Sequence, residues 1–189
     1  MSARRILMLG PPGAGKGTQA QRLAKDCGIA HVSTGDMLRS AVAAGSEVGK
    51  RARAVMDAGR LVSDEIVIAI AEERLREGDC AAGFVLDGFP RTLPQAEALD
   101  ELLKRLGTPL ECCLALRVDP EALVERLLKR AQIEGRSDDN ADTIRQRMAV
   151  YEEQTAPLIE HYRALLREVD GMGTIDAVSR RVREAVDAQ

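Results

Sequence analysis

At 189 residues with 45% hydrophobic side chains, the chain can bury a core of its own, and one domain with small inserts is expected. The 27 basic and 30 acidic residues leave a net charge of -3, which argues against a general nucleic-acid or membrane-surface binder; an anionic ligand has to be held by locally gathered positive charge. No apolar run approaches the roughly 18 residues that span a bilayer, and Met1 to Arg5 leads into a core strand without a signal-peptide pattern, so a cytoplasmic location is expected.

The first predicted strand, Arg5 to Leu9, runs into Gly10-Pro-Pro-Gly-Ala-Gly-Lys-Gly-Thr18 and then a helix over Lys16 to Asp26. Glycines let the backbone turn tightly so that successive N–H groups face phosphate oxygens, the helix N-terminus adds its positive dipole end, and Lys16 adds a point charge. This is a P-loop. The general pattern ends G-K-[ST], whereas here Gly17 follows Lys16 and Thr18 comes one position later, which displaces the hydroxyl that usually ligates Mg²⁺.

A second strand, Ile29 to Val32, opens Ser33 to Val62, where helices over Asp36 to Ala43 and Glu47 to Ala58 lie between glycine breakers; this segment reads as an insert over the sheet. A helix over Asp64 to Glu77 leads to the strand Phe84 to Leu86, which delivers Asp87 to the same edge as the P-loop, where a carboxylate orients Mg²⁺ directly or through water. Arg91 follows in Asp87-Gly-Phe-Pro-Arg91, a planar cation suited to bidentate phosphate contact. Next come a helix over Pro94 to Leu106, a strand over Cys112 to Val118 and a helix over Pro120 to Gln132. Arg126 and Arg130, four apart on that helix, project from one face. The polar stretch Gln132 to Asn140, with Arg136, reads as a second mobile element before a long helix over Ala141 to Arg167, a weak strand near Leu166 to Val169 and a helix over Ile175 to Ala188.

Alternating strands and helices imply an α/β fold, a five-stranded parallel sheet with helices on both faces and ligands outside the carboxyl ends of the strands. Cys27, Cys80, Cys112 and Cys113 lack metal-ligand spacing and read as reduced core thiols, with adjacent Cys112 and Cys113 pointing to opposite faces of the sheet. His31 and His161 read as structural, and no heptad seam suggests an oligomer, so a monomer is expected.

Together these motifs resemble the adenylate kinase family, nucleoside monophosphate kinases that interconvert ATP plus AMP with two ADP. The resemblance rests on Gly10 to Thr18, on Ser33-Thr-Gly-Asp-Met-Leu-Arg39, on Leu86-Asp-Gly-Phe-Pro-Arg-Thr92 with Gln95 after it, and on Arg136-Ser-Asp-Asp139. It implies that Gly13, Ala14, Gly15, Lys16, Gly17 and Thr18 hold the ATP phosphates, with Arg126, Arg130 and Gly173 toward its nucleoside end. It further implies an AMP pocket of Thr34, Arg39, Arg60, Leu61, Val62, Gly88, Phe89, Pro90, Arg91 and Gln95, with the Gln95 amide reading adenine and Arg39 and Arg91 gripping the phosphate. Arg136 and Arg147 are implied to reach over both phosphate chains. Lys16, Arg91, Arg126, Arg130, Arg136 and Arg147 make up the implied catalytic set, and Asp87, with Asp138 and Asp139 after it, the groups that arrange Mg²⁺ through water.

The implied layout is a core of 1–32, 63–129 and 141–189, a monophosphate-binding insert at 33–62, and a short lid at about 130–140 that has no cysteine, so zinc is not expected. A UMP/CMP kinase shares fold, P-loop and arginines; Thr34 and Gln95 are the residues that favour adenine. A P-loop switch protein would need a water-positioning residue or an effector surface, and neither is evident.

Overall fold

The computed structural model describes residues 4–135 and 140–188. Five parallel strands, β1 (Arg4–Leu9), β2 (Ala30–Ser33), β3 (Gly83–Asp87), β4 (Cys112–Arg117) and β5 (Leu166–Asp170), form one sheet in the order β2-β3-β1-β4-β5. This is the expected parallel sheet. Side chains alternate across it: Leu7, Leu9, Phe84, Leu86 and Cys113 enter one apolar layer, and Ile6, Met8, Val85, Cys112 and Leu114 enter the other. The two adjacent cysteines thus face opposite cores, as the period of two demands. Burial pushes the Cys113 thiol up to about 12, which keeps it protonated and unreactive.

Helix α1 (Lys16–Cys27) begins at Gly15, which takes the left-handed conformation that a side chain would resist, and ends on Gly28 in the same region. It packs beside α9 (Ile175–Asp187) on one face of the sheet. Helix α4 (Asp64–Leu75) packs on α5 (Leu93–Leu106) on the other. Helix α4 stops two residues short of the expected Glu77, and a tight 3₁₀ turn, Gly78–Ala82, then feeds β3.

In the insert, α2 (Thr34–Ala43) is capped by Ser33, whose hydroxyl accepts from the Asp36 N–H, and α3 (Glu47–Asp57) by Ser46, which accepts from the Gly49 N–H. The two helices touch backbone to backbone at Gly49, where a Cβ would lie 2.0 Å from the Ala41 carbonyl oxygen. The contact depends on the missing side chain. Gly49→Ala is therefore expected to force α2 and α3 apart at a cost of about 3 kcal/mol, the upper end for overpacking. A lowered thermal midpoint would register this; an unchanged midpoint would show that the crossing gives way freely.

Beyond β4, α6 (Pro120–Glu134) starts on a proline at its first turn and ends at Gly135. The sequence expectation of one helix from Ala141 to Arg167 is overturned. Helix α7 (Ala141–Val150) gives way to a π-helical turn, Tyr151–Thr155; after Pro157 come the one-turn α8 (Leu158–His161) and a 3₁₀ turn, Arg163–Leu165, before β5. Pro157 has no N–H to offer and its ring crowds the preceding turn, so a continuous α-helix cannot pass it. The wide turn is closed by the Ala156 N–H donating to the Tyr151 carbonyl at 2.8 Å, five residues back.

Candidate active site

The register of the sheet sets up the cleft. Met8 pairs with Asp87 across β1 and β3, and Ser33 with Asp87 across β2 and β3, so the P-loop, the Asp87-Gly88 turn and the start of α2 all leave the sheet at one carboxyl edge. The P-loop folds over that edge with Gly13 at φ +83°, packed so closely on α6 that a Cβ would meet the Leu123 carbonyl oxygen and Leu127. Lys16 turns back to donate from Nζ to the Gly10 and Pro11 carbonyls at 2.8 and 3.0 Å. Its pKa is pushed down to about 8, first by burial and then by the neighbouring cations Arg91, Arg147 and Arg130, against the pull of Asp87.

Two cavities open from this edge. One cavity, on the P-loop side, is lined by the P-loop from Gly13 to Thr18, Asp87, Arg126, Arg130 and Gly173. The other, on the side of α2 and α3, takes Thr34, Arg60, Leu61, Val62, Pro90 and Gln95. Both share Pro12, Lys16, Gly35, Arg39, Gly88, Arg91 and Arg147, so four cations stand where the two spaces meet. The Gly88 carbonyl is a local hub, accepting from Thr34 Oγ1 at 2.9 Å and from Arg91 Nε at 2.8 Å. Arg91 is also fixed through its backbone: its N–H donates to Gln95 Oε1 at 2.8 Å, and its carbonyl accepts from Thr155 Oγ1 at 2.8 Å.

A model of the adenylate kinase family matches residues 8–166. An adenylate kinase of Stenotrophomonas maltophilia is 52% identical over 96% of this chain and 98% of its own length. Those of Thermobifida fusca and of a Synechococcus strain are 53% and 54% identical, over 98% and 97% of this chain and 99% of each relative. The chain belongs to the adenylate kinase family. The fold described above is the P-loop kinase fold that membership entails.

Against that family layout, nearly every residue singled out in the sequence lines one cavity or both. Phe89 does not: it is 1% exposed within the apolar core beneath the site and borders neither space. Arg136, Asp138 and Asp139 lie outside the described residues. Arg126 borders the P-loop cavity, and its Nη2 donates to the Gly171 carbonyl at 3.0 Å, tying α6 to the loop after β5. His161 pairs with Asp100 at 2.8 Å between α8 and α5 and borders neither cavity, in keeping with a structural role. His31 lines the P-loop cavity instead, its Nε2 buried 4.0 Å from Asp87 Oδ2 with no hydrogen-bond partner among the described residues.

Sequence reasoning missed Met56, Val150, Tyr151 and Thr155, which line the cavity beside α2 and α3. The last two arrive there only because the helix widens at Tyr151, for which the sequence carries no periodic signal. It also missed Asp64, whose carboxylate accepts from both Gln95 Nε2 and Thr92 Oγ1.

Proposed function

We propose that this cleft transfers the terminal phosphoryl group of Mg-ATP reversibly to AMP, giving two ADP, with ATP on the P-loop side and AMP against the insert. The observation that carries the assignment of sides is the shared border: Lys16, Arg39, Arg91 and Arg147 face both cavities, where two phosphate chains would meet. The monophosphate oxygen that attacks is already anionic. No residue has to take its proton, and catalysis reduces to alignment and charge neutralisation. Lys16 would follow the transferring group, Arg91 and Arg39 would hold the acceptor phosphate, and Arg130, Arg147 and Arg136 would close over the chains.

Mg²⁺ fits the residues present as an ion held mainly by phosphates and water. Among the described residues no group of three potential ligands comes together, while Asp87 presents one buried carboxylate at the P-loop edge. Gly17 leaves that carboxylate room, since a Cβ there would lie 3.3 Å from Asp87 Oδ2. When bound with ATP, Mg²⁺ would neutralise charge on the phosphate oxygens; Asp87 would orient its water shell.

The insert at 33–62 and the segment at about 130–140 are read as two covers that exclude water, which would otherwise accept the phosphoryl group. We read the chain as a cytoplasmic monomer without nucleic-acid or membrane partners. A net charge of -3 speaks against a general polyanion binder, and no helix among the described residues is long and apolar enough to cross a membrane. A coupled assay offering AMP, CMP, UMP and GMP with Mg-ATP tests the reaction. AMP is expected to be the strongly preferred acceptor. Preference for CMP or UMP would make this a pyrimidine monophosphate kinase, and hydrolysis without transfer would sink the kinase reading.

A further inference from the structure

Gln95 is 1% exposed, and both ends of its amide are engaged by groups whose roles cannot be exchanged. Asp64, in the first turn of α4, does not cap its own helix. It reaches across to α5, where Oδ1 accepts from Gln95 Nε2 at 2.7 Å and from Thr92 Oγ1 at 3.0 Å. The Arg91 N–H can only donate and does so to Gln95 Oε1. A carboxylate has no proton to give and a backbone N–H no lone pair, so the two partners fix which end of the amide is nitrogen and which is oxygen. One hydrogen on Nε2 and one lone pair on Oε1 remain for a ligand.

We propose that Asp64 is a specificity-determining residue that acts through Gln95: by locking the amide it makes the acceptor site select a 6-amino over a 6-keto purine. The inference rests on the reading that Gln95 faces the acceptor base. A locked amide offers one donor and one acceptor in a fixed order. An aminopurine edge presents its exocyclic amine as donor and a ring nitrogen as acceptor, and so matches that order; a ketopurine carries the same two functions reversed. Rejection of the keto base comes from opposing lone pairs and opposing hydrogens, and it lasts only while the amide cannot turn over. Asp64 borders neither cavity; it is a positioning residue.

The pair AMP and IMP isolates this effect, because the two share ribose and phosphate and differ in the six-position and N1. For Asp64→Ala we expect the AMP:IMP ratio of kcat/KM to fall at least about tenfold, the worth of one buried hydrogen bond to a charged group, mostly through KM for AMP. Asp64→Asn keeps an oxygen acceptor at the same place and is expected to restore most of the ratio. In a Gln95→Leu background the ratio is expected to be low already and insensitive to Asp64→Ala. A ratio measured on one preparation does not depend on how much of it is folded, so a loss of folded protein cannot imitate the result. An unchanged ratio in Asp64→Ala, or an Asp64→Asn variant as impaired as Asp64→Ala, overturns the proposal while a loss of discrimination in Gln95→Leu leaves the base-reading assignment standing. If Gln95→Leu also keeps the ratio, the base-reading assignment itself fails and the role of Asp64 fails with it.

Discussion

Replacing Lys16 with Met is expected to lower kcat by about a thousandfold, the loss typical of removing one aimed donor from a site that works by charge stabilisation. The same substitution should remove a pH dependence of stability in the nucleotide-free chain. Lys16 has a folded pKa of about 8 against 10.5 for an unperturbed lysine, because burial and three arginines oppose its charge. Below about pH 8 the ammonium is charged in both states but costs free energy only in the folded one. Between about 8 and 10.5 the unfolded chain keeps the proton and the folded chain releases it, so the unfolded state binds more protons and stability rises with pH across that window.

Met at position 16 lacks this term. It also loses the two hydrogen bonds to the Gly10 and Pro11 carbonyls, about 1 kcal/mol each, so the trend of the difference with pH is more diagnostic than its value at one pH. Calorimetric midpoints of both proteins from pH 7 to 10 should show the native chain gaining on Lys16→Met above pH 8. Bound phosphates would hold the ammonium in its charged form, so nucleotide binding near pH 8 to 9 should take up a proton in the native chain and none in the variant. Parallel pH profiles together with retained phosphotransfer would remove Lys16 from the role given to it.

Some of this site could be read from sequence and some could not. The P-loop and Asp87 are local statements: each follows a short apolar strand, and parallel strands in register bring such positions to one edge without further information, whereas Thr34 is marked only by the family resemblance. Asp64 carries no such mark. An acidic residue at the start of α4 reads as a helix-dipole partner, and only the packing of α4 on α5 reveals that its carboxylate serves Gln95. Thr155 was hidden for another reason: Pro157 marks the end of a helix, but not that the turn before it widens to set a hydroxyl on the Arg91 carbonyl. Phe89 shows the converse. It lies in the most legible motif of the chain, and its side chain supports the site from below, in the core.

The second large effect is expected at Arg91, where Arg91→Lys should lower kcat/KM for AMP by about 10² to 10³ at saturating Mg-ATP and move KM for Mg-ATP far less. The charge survives this change, and what disappears is geometry. In the native chain the Arg91 backbone is held from both sides by Gln95 and Thr155, and Nε is spent on the Gly88 carbonyl, so the guanidinium plane has a fixed direction between the two cavities. A lysine has no Nε–H to reach Gly88 and cannot present two parallel donors to a phosphate. Two lost charge-assisted bonds at about 1.5 to 3 kcal/mol each would cost roughly 10² to 10⁴, and the ammonium charge that lysine keeps recovers part of that, which leaves the expected range. Initial rates against AMP at fixed saturating donor read this directly. A loss below tenfold would mean that a point charge suffices between the cavities, and the anchoring of Arg91 by Gly88, Gln95 and Thr155 would then serve the fold and not the transfer.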